Sequence, residues 1–449
     1  MLVASLMFPA LFALVLAGIP IAFSLALVAA AAGFARFGML APAQLYGSFY
    51  SASTNFILAA IPMFVLMGAI LERSGIAERL FKVMQLWMAR LPNGLAIATI
   101  AMGAVFAAAA GVVGAVEVMI GMMAIPAMQR MRYDNSLIAG TICAGGSLGT
   151  MIPPSVIAVM YASLAQMSVG ELLAGMMLPG LLMVALFVVY ILVDGSIARR
   201  RQPVSLGASA LETGSAGADE LLDVSLADKL KLTATSLAPI IALIVAVLGS
   251  LLAGIASPTE AAAVGAVGAL ILSIAYRRFS FAMLRQSLHI TVRISAMILL
   301  IVAAGTMFMG TFAANGGSSL IRSAVAGAGL GEAGMIVFFL LIVFLLGFVL
   351  DWTANVLICV PLFTPFIRSA GIDPVWFGTL VIIVIQTSYL TPPMASSIFY
   401  LKSIAPSDMT YGQMCRGVVP FILLQVATLL IVALFPALAT WLPSQIVGF

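Results

Sequence analysis

Charge is scarce in this sequence. Only 8% of its 449 residues are Asp, Glu, Lys or Arg, whereas 63% are hydrophobic. A soluble globular protein carries roughly a quarter charged residues, so this chain has too few charges to cover a water-exposed surface. Its main solvent is therefore a lipid bilayer. The net charge of +4 is small and spread over short loops, which argues against nucleic acid as a partner.

Residues that carry catalysis are equally sparse. There is one His, and the three cysteines Cys143, Cys359 and Cys415 do not have the spacing of a metal site. The sequence contains neither a Walker A motif nor a Ser-His-Asp set, so it does not support ATP hydrolysis or covalent catalysis by this chain. The protein is predicted not to be an enzyme.

Apolar stretches near the roughly 20 residues that one transmembrane helix needs recur along the chain. They lie at 2–18, 20–35, 55–71, 96–128, 136–165, 172–193, 236–254, 258–276, 290–313, 334–367, 375–401 and 418–442. Some are too long for one crossing and too interrupted for two. Stretches 96–128 and 334–367 are therefore predicted to be re-entrant hairpins, and 136–165 and 375–401 discontinuous helices.

The same spaced pattern of Pro, Asp and Tyr residues occurs twice, 239 residues apart. In each copy a Pro is followed by an Asp, then by a Pro-Pro pair, then by a Tyr, at identical distances. The copies are Pro126, Asp134, Pro153-Pro154 and Tyr161, and Pro365, Asp373, Pro392-Pro393 and Tyr400. Two halves of an apolar chain that repeat a helix-breaking signature are typical of a secondary transporter with its binding site between the repeats.

One long polar segment separates the halves and carries the basic run Arg199–Arg201. We predict a membrane repeat at 1–194, a cytoplasmic linker at 195–232 and a second membrane repeat at 233–449, because basic loops stay in the cytoplasm. We assume that each half has five spans, one of them discontinuous, plus one hairpin that enters and leaves by the same face. Because five crossings is an odd number, the second half is then inserted upside down relative to the first. Both termini are then predicted to be periplasmic. The expected fold class is an all-α polytopic membrane protein with two inverted repeats.

The predicted broken helices contain small and helix-breaking residues at membrane depth. Gly145–Ser155 combines three glycines with two prolines, so the helix must unwind there. Its free carbonyls and the hydroxyls of Ser147 and Thr150 are oxygen ligands suited to a small hard cation. Thr387, Ser388 and Thr391 offer the same chemistry in the second half. The alternative is a pair of ordinary proline-kinked helices.

The predicted hairpin tips are Gly111–Glu117 and Asp351–Asn355, and each contains an acid. An acid within an apolar span costs roughly 2.5–3.5 kcal/mol on insertion scales and is a candidate functional residue. Asp351 could serve an ion site or cap the second arm of its hairpin. Glu117 could serve an ion site or pair with a basic residue of this or another subunit. Glu260, in Ser257-Pro-Thr-Glu260, is instead predicted to begin a helix.

Four motifs carry a family resemblance: Gly149–Ser155, Gly254–Gly265, Gly371–Pro374 and Leu390–Pro393. Together they resemble the large permease subunit, DctM type, of tripartite ATP-independent periplasmic (TRAP) transporters, over essentially the whole chain. The resemblance implies an inner-membrane importer that moves by an elevator mechanism. It also implies Na⁺ coupling, no cofactor, a carboxylate-type solute, a small four-helix membrane subunit (DctQ type) and a periplasmic solute-binding protein (DctP type). The rival readings are a stand-alone ion-coupled carrier and, from another class, a channel or membrane scaffold.

The resemblance further implies two Na⁺ sites, each between a hairpin tip and a broken helix. The candidate residues are Gly111, Gly114, Glu117, Ser147, Gly149 and Thr150 for the first site, and Asp351, Thr353, Asn355, Thr387, Ser388 and Thr391 for the second. The substrate is expected near the same tips and breaks. Many members have a serine-rich first tip, whereas this chain reads Gly-Val-Val-Gly-Ala-Val-Glu at 111–117.

Overall fold

The computed structural model describes residues 2–110, 113–201, 225–327, 329, 331–392 and 395–446. Within these residues every regular element is a helix, so the predicted all-α class is confirmed. Seven of the helical segments are long and apolar enough to cross a membrane. The structure agrees with the membrane assignment made from composition.

The described residues of the first half form ten α-helices. They are α1 (Leu2–Leu16), α2 (Ile21–Phe37), α3 (Ala41–Ser53), α4 (Ala60–Arg73), α5 (Ile76–Met88), α6 (Gly94–Ala110), α7 (Val113–Arg130), α8 (Asn135–Ser147), α9 (Val156–Ala165) and α10 (Val169–Arg201). Short 3₁₀ turns at Gly38–Leu40, Phe56–Ala59 and Leu148–Thr150 join some of them. Helix α10 continues past residue 194, where the linker was predicted to begin.

The described residues of the second half form eleven α-helices. They are α11 (Leu226–Ser236), α12 (Ala238–Leu252), α13 (Pro258–Ala275), α14 (Phe281–Ala314), α15 (Gly317–Gly327), α16 (Glu332–Leu346), α17 (Trp352–Ser369), α18 (Pro374–Leu390), α19 (Ser396–Lys402), α20 (Tyr411–Leu434) and α21 (Ala437–Ile446). Most of the predicted linker, residues 202–224, lies outside the described residues.

Side-chain caps fix where the key helices begin. Asp134 accepts a hydrogen bond from the backbone N–H of Ser136, 2.9 Å away, at the start of α8. Asp373, its counterpart in the sequence repeat, accepts from Val375 at 2.8 Å at the start of α18. Ser257 and Glu260 form a capping box at the start of α13, which confirms the predicted role of Glu260.

Both predicted helix interruptions are present. Helix α8 ends at Ser147, and regular α-helix resumes only at Val156, after the Pro153-Pro154 pair. Helix α18 ends at Leu390 and α19 begins at Ser396. Pro393 of the second pair lies outside the described residues. Each interruption follows a pair of helices that pack against each other as a hairpin, α6 with α7 and α16 with α17.

The core surrounds the interrupted helices. Ile138–Ser147 of α8 and Phe377–Leu390 of α18 are buried throughout. Helix α8 lies in direct backbone contact with α20, because a Cβ atom on Gly140 would collide with the carbonyl oxygen of Gly417. Around this centre, α2 packs on α14 and α4 packs on α13, so each half contributes to a shared outer layer.

Candidate ion and solute site

The second arm of each hairpin packs across the molecule. Helix α7, from the first half, lies against α19 of the second half, and α17 lies against α9 of the first half. At the first tip, a Cβ on Gly114 would approach the ring of Tyr400 to 2.8 Å. Gly114 therefore allows α7 to approach α19 closely. The hairpins connect the two halves as well as lying beside their own broken helices.

Glu117 of α7 is completely buried. The Ser397 hydroxyl of α19 donates a hydrogen bond to its Oε1 atom, whereas the buried Oε2 atom has no hydrogen-bond partner. Gly146 of α8 lies directly against the Glu117 side chain, and any Cβ there would clash with it. The partner found for Glu117 within this chain is thus a serine hydroxyl rather than the basic residue considered as an alternative.

The first break lies next to Glu117, and the hydroxyls of the break donate hydrogen bonds to nearby backbone carbonyls. Thr150 donates to the carbonyl oxygen of Ser147 at 2.9 Å, and Ser155 donates to that of Thr150 at 2.8 Å. A hydroxyl that donates in this way keeps lone pairs for a cation. Gly149 is buried within the same turn. Gly111, the remaining first-site candidate, lies outside the described residues.

Ser147 faces other helices. Its hydroxyl donates to the carbonyl oxygen of Ala144 at 2.8 Å and accepts from the amides of Gln386 at 3.1 Å and Gln425 at 3.4 Å. A hydroxyl oxygen has two lone pairs, and both are engaged here. The structure thus places Ser147 in a contact between α8, α18 and α20. Sequence reasoning did not single out either glutamine.

At the second tip, Asp351 is the N-cap of α17. Its Oδ2 atom accepts a hydrogen bond from the backbone N–H of Thr353 at 3.1 Å, so the capping role is confirmed. Asn355 ties the two arms together, because its amide donates to the carbonyl oxygen of Val343 on α16 at 2.9 Å. The hydroxyl of Thr353 is buried with no partner within hydrogen-bond distance. The Asp351 carboxylate also keeps accepting capacity beyond its bond to the Thr353 backbone.

The second break lies beside that tip. Gly347 packs against Ser388, since a Cβ on Gly347 would collide with the Ser388 hydroxyl. The hydroxyls of Thr387 and Thr391 donate to the carbonyl oxygens of Ile383 and Thr387 at 2.8 and 2.7 Å. Each hydroxyl oxygen again retains accepting capacity. Tip and break are therefore adjacent in the second half, as predicted.

Two tyrosines link the first tip to the second broken helix. The rings of Tyr389, on α18, and Tyr400, on α19, are stacked with centroids 6.4 Å apart. The Tyr400 ring also packs against Gly114 of the first tip. Tyr389 is buried, whereas Tyr400 is 43% exposed. The stacked pair thus lies between the first tip and the second broken helix. Sequence analysis treated Tyr400 only as the last residue of the repeated Pro, Asp, Pro-Pro, Tyr pattern.

The chemistry of this neighbourhood favours cations. The sequence of both tips and both breaks, at 111–117, 145–155, 347–355 and 387–397, contains no Lys, Arg or His. A buried carboxyl group without a basic partner is either protonated or balanced by the charge of a cationic ligand. Hydroxyl and carbonyl oxygens complete a set of hard ligands. Within the described residues there is no cluster of three or more His, Cys, Asp or Glu that would hold a transition metal.

Comparison with known proteins gives one consistent result. The model of the family "Tripartite ATP-independent periplasmic transporter, DctM component" matches residues 8–438. The C4-dicarboxylate TRAP transporter large permease protein DctM of Pseudomonas aeruginosa is 29% identical, with 88% of each chain covered. The ectoine/5-hydroxyectoine TRAP transporter large permease protein UehC of Ruegeria pomeroyi is also 29% identical, over 86% of this chain and 85% of that protein.

Structural comparison agrees on the fold. The Alcanivorax borkumensis YdaH transporter superposes with a TM-score of 0.55 and 14% identity, over 89% of this chain and 88% of the transporter. At that identity the likeness establishes a shared fold alone. The family match, in contrast, spans nearly the whole sequence. This chain therefore belongs to the DctM family, the large permease subunits of TRAP transporters.

Proposed function

We propose that the protein is the translocating subunit of a Na⁺-coupled TRAP importer for a small, carboxylate-bearing organic solute. The observation that carries this proposal is the pair of hairpin tips packed against interrupted helices, with a fully buried acid, Glu117, in one tip and a half-buried acid, Asp351, in the other. The sequences of these tips and breaks contain no basic residue. Na⁺ would occupy the oxygen-rich spaces between tips and breaks. Relatives named for C4-dicarboxylate, ectoine and sialic acid support a carboxylate-bearing solute.

An inverted repeat is part of the proposal, and several observations support it. Helices α7 and α17 begin and end 239 residues apart, at 113 and 352 and at 130 and 369. The contact of α2 with α14 is matched by that of α13 with α4. Ser147 and Gln386, equivalent positions in the repeat, bond directly to each other. Equivalent residues meet in this way only when they lie near a twofold axis.

Coupling then follows from charge and position. A cation bound at a tip compensates a buried carboxylate and holds the tip against its broken helix, which organises both around the solute. The tips, breaks and solute would move together between the two membrane faces as an elevator. A tip with an uncompensated carboxylate is costly inside the protein, so movement without the ion is disfavoured.

The proposed partners are a small DctQ-type membrane subunit and a periplasmic DctP-type binding protein. The Isethionate TRAP transporter permease protein DctMQ of Oleidesulfovibrio alaskensis is 28% identical over 94% of this chain, which covers only 63% of that relative. Its name and extra length support a physical association of large and small subunits. The protein would reside in the inner membrane.

Uptake into proteoliposomes tests the function. We expect the large and small subunits, together with a DctP-type binding protein, to accumulate a labelled probe above its external concentration only under an inward Na⁺ gradient. Succinate, ectoine and sialic acid serve as probes because relatives are named for these solute types. Accumulation without the binding protein would instead identify a stand-alone carrier. Equilibration without accumulation would identify a channel.

The proposed orientation has its own test. A cysteine at Gly214, in the linker outside the described residues, should react only with cytoplasmic reagent. A cysteine at Ser444, exposed on α21, should react only with periplasmic reagent. Cys143 and Cys359 are buried, so only Cys415 needs replacement in the parent protein. Labelling of both positions from the same side would contradict the inverted repeat.

A further inference from the structure

One contact joins the first hairpin to the second broken helix. Glu117 on α7 and Ser397 on α19 are both fully buried and hydrogen-bonded to each other, although 280 residues separate them. Ser397 is the second residue of α19, directly after the break that contains Thr391. The acid of the first tip therefore holds the segment that leaves the second break.

The Glu117 carboxylate is only half satisfied. Its Oε1 atom accepts from Ser397, while Oε2 is buried without a partner. An unsatisfied buried acceptor costs about 1–3 kcal/mol, and more when it is charged. Gly146, in the last turn of α8 before the first break, also lies against this side chain. A cation beside Oε2 would satisfy the carboxylate at a point where the first tip, the first break and α19 meet.

A second link runs parallel to the first. Tyr400 lies three residues after Ser397 on α19, and its ring packs over Gly114 of the first tip. The same ring stacks on Tyr389 of α18, which precedes the second break. A shift of the first tip must therefore displace α19, and with it the oxygens of the second break.

We propose that Ser397 belongs to the first cation site and that this contact couples the two sites, so that Na⁺ binds cooperatively. The inference rests on the Na⁺ coupling in the proposed function. A cation at Oε2 fixes the Glu117 carboxylate, the carboxylate fixes Ser397, and Ser397 fixes the start of α19. The ordering of α19 is then already complete when the second cation arrives, which raises its affinity.

Trp352 provides a reporter that does not depend on transport. It follows Asp351 at the second tip, so its fluorescence emission in the purified complex should respond to Na⁺ binding there. The part of the emission change that is lost in Trp352→Phe is the contribution of Trp352. The wild-type titration should be steeper than hyperbolic. Ser397→Ala should raise the half-saturating Na⁺ concentration for this signal by roughly 5- to 150-fold, the usual range of site coupling, and bring the Hill coefficient to about one.

Two control variants make the result specific. Ser403→Ala makes the same chemical change at the other end of α19, where the side chain is exposed, and should leave the titration unchanged. Ser397→Thr keeps the hydroxyl and should restore most of the cooperativity. If Ser397→Ala does not assemble, Tyr400→Leu serves in its place, because it removes the second link without changing the Glu117 carboxylate. A raised half-saturating Na⁺ concentration in this variant supports the coupling.

The outcomes separate this inference from the proposed function. An unchanged titration in folded Ser397→Ala or Tyr400→Leu overturns the coupling, as does a hyperbolic wild-type titration. In either case Na⁺-driven uptake by the wild-type complex would still support the proposed function. A wild-type complex without any Na⁺ response in emission or in uptake overturns both.

Discussion

Asp351→Asn should leave the folded protein as stable as wild type and lower Na⁺-driven uptake by about a thousandfold. Asn caps a helix about as well as Asp, so the bond from the backbone of Thr353 to residue 351 is retained. What disappears is a negative charge. At about 4 Å from a bound cation and an effective dielectric near 20, that charge is worth about 4 kcal/mol, and about 1.4 kcal/mol corresponds to a tenfold change in rate.

The chain offers a matched control for this substitution. Asp373 caps α18 in the same way, through Val375 and Trp376, but lies away from the tips. Asp373→Asn should therefore leave uptake near the wild-type level. Asp351→Ala should in addition lose about 0.5–2 kcal/mol of stability with the cap. Initial uptake rates and thermal unfolding in detergent measure both effects, and near-wild-type uptake by Asp351→Asn would reduce Asp351 to a structural cap.

Local chemistry explains what could be read from the sequence. A proline pair removes two backbone donors and interrupts a helix, so the breaks after Ser147 and after Leu390 follow from the local sequence. The same holds for Asp351 and Glu260, whose capping roles depend on backbone groups two or three residues away. Hydropathy located the long apolar helices for a similar reason, because the bilayer acts on each segment separately.

Contacts between the halves could not be read in this way. Ser397, Gln386 and Gln425 bond to partners 239 to 280 residues distant, and each looks like an ordinary polar residue in its own segment. Their importance comes from the packing of α19 on α7 and of α8 on α18 and α20. Helices α3 and α5 were not predicted for a different reason: they are shorter and more polar than the apolar stretches that indicate a transmembrane helix.

The packing of α8 on α20 has no spare room, and Gly417 is its most sensitive position. A Cβ on Gly417 would collide with the carbonyl oxygen of Ser136, and one on Gly140 would collide with that of Gly417. Both obstacles are backbone atoms within helices and cannot rotate aside. Small residues allow membrane helices to approach closely. This contact holds the first broken helix in place, so the ion site depends on it.

Gly417→Ala should therefore destabilise the protein by at least the roughly 1–3 kcal/mol typical of overpacked cores, with a lower unfolding temperature and a poor yield of assembled complex. Gly412→Ala is the matched control, since it lies on the same helix with nothing within 4 Å of the new Cβ. Alanine is preferred to glycine in a helix by up to about 1 kcal/mol, so the control should lose no stability. Equal unfolding temperatures for the two variants in the same detergent would show that α8 and α20 do not touch at Gly417.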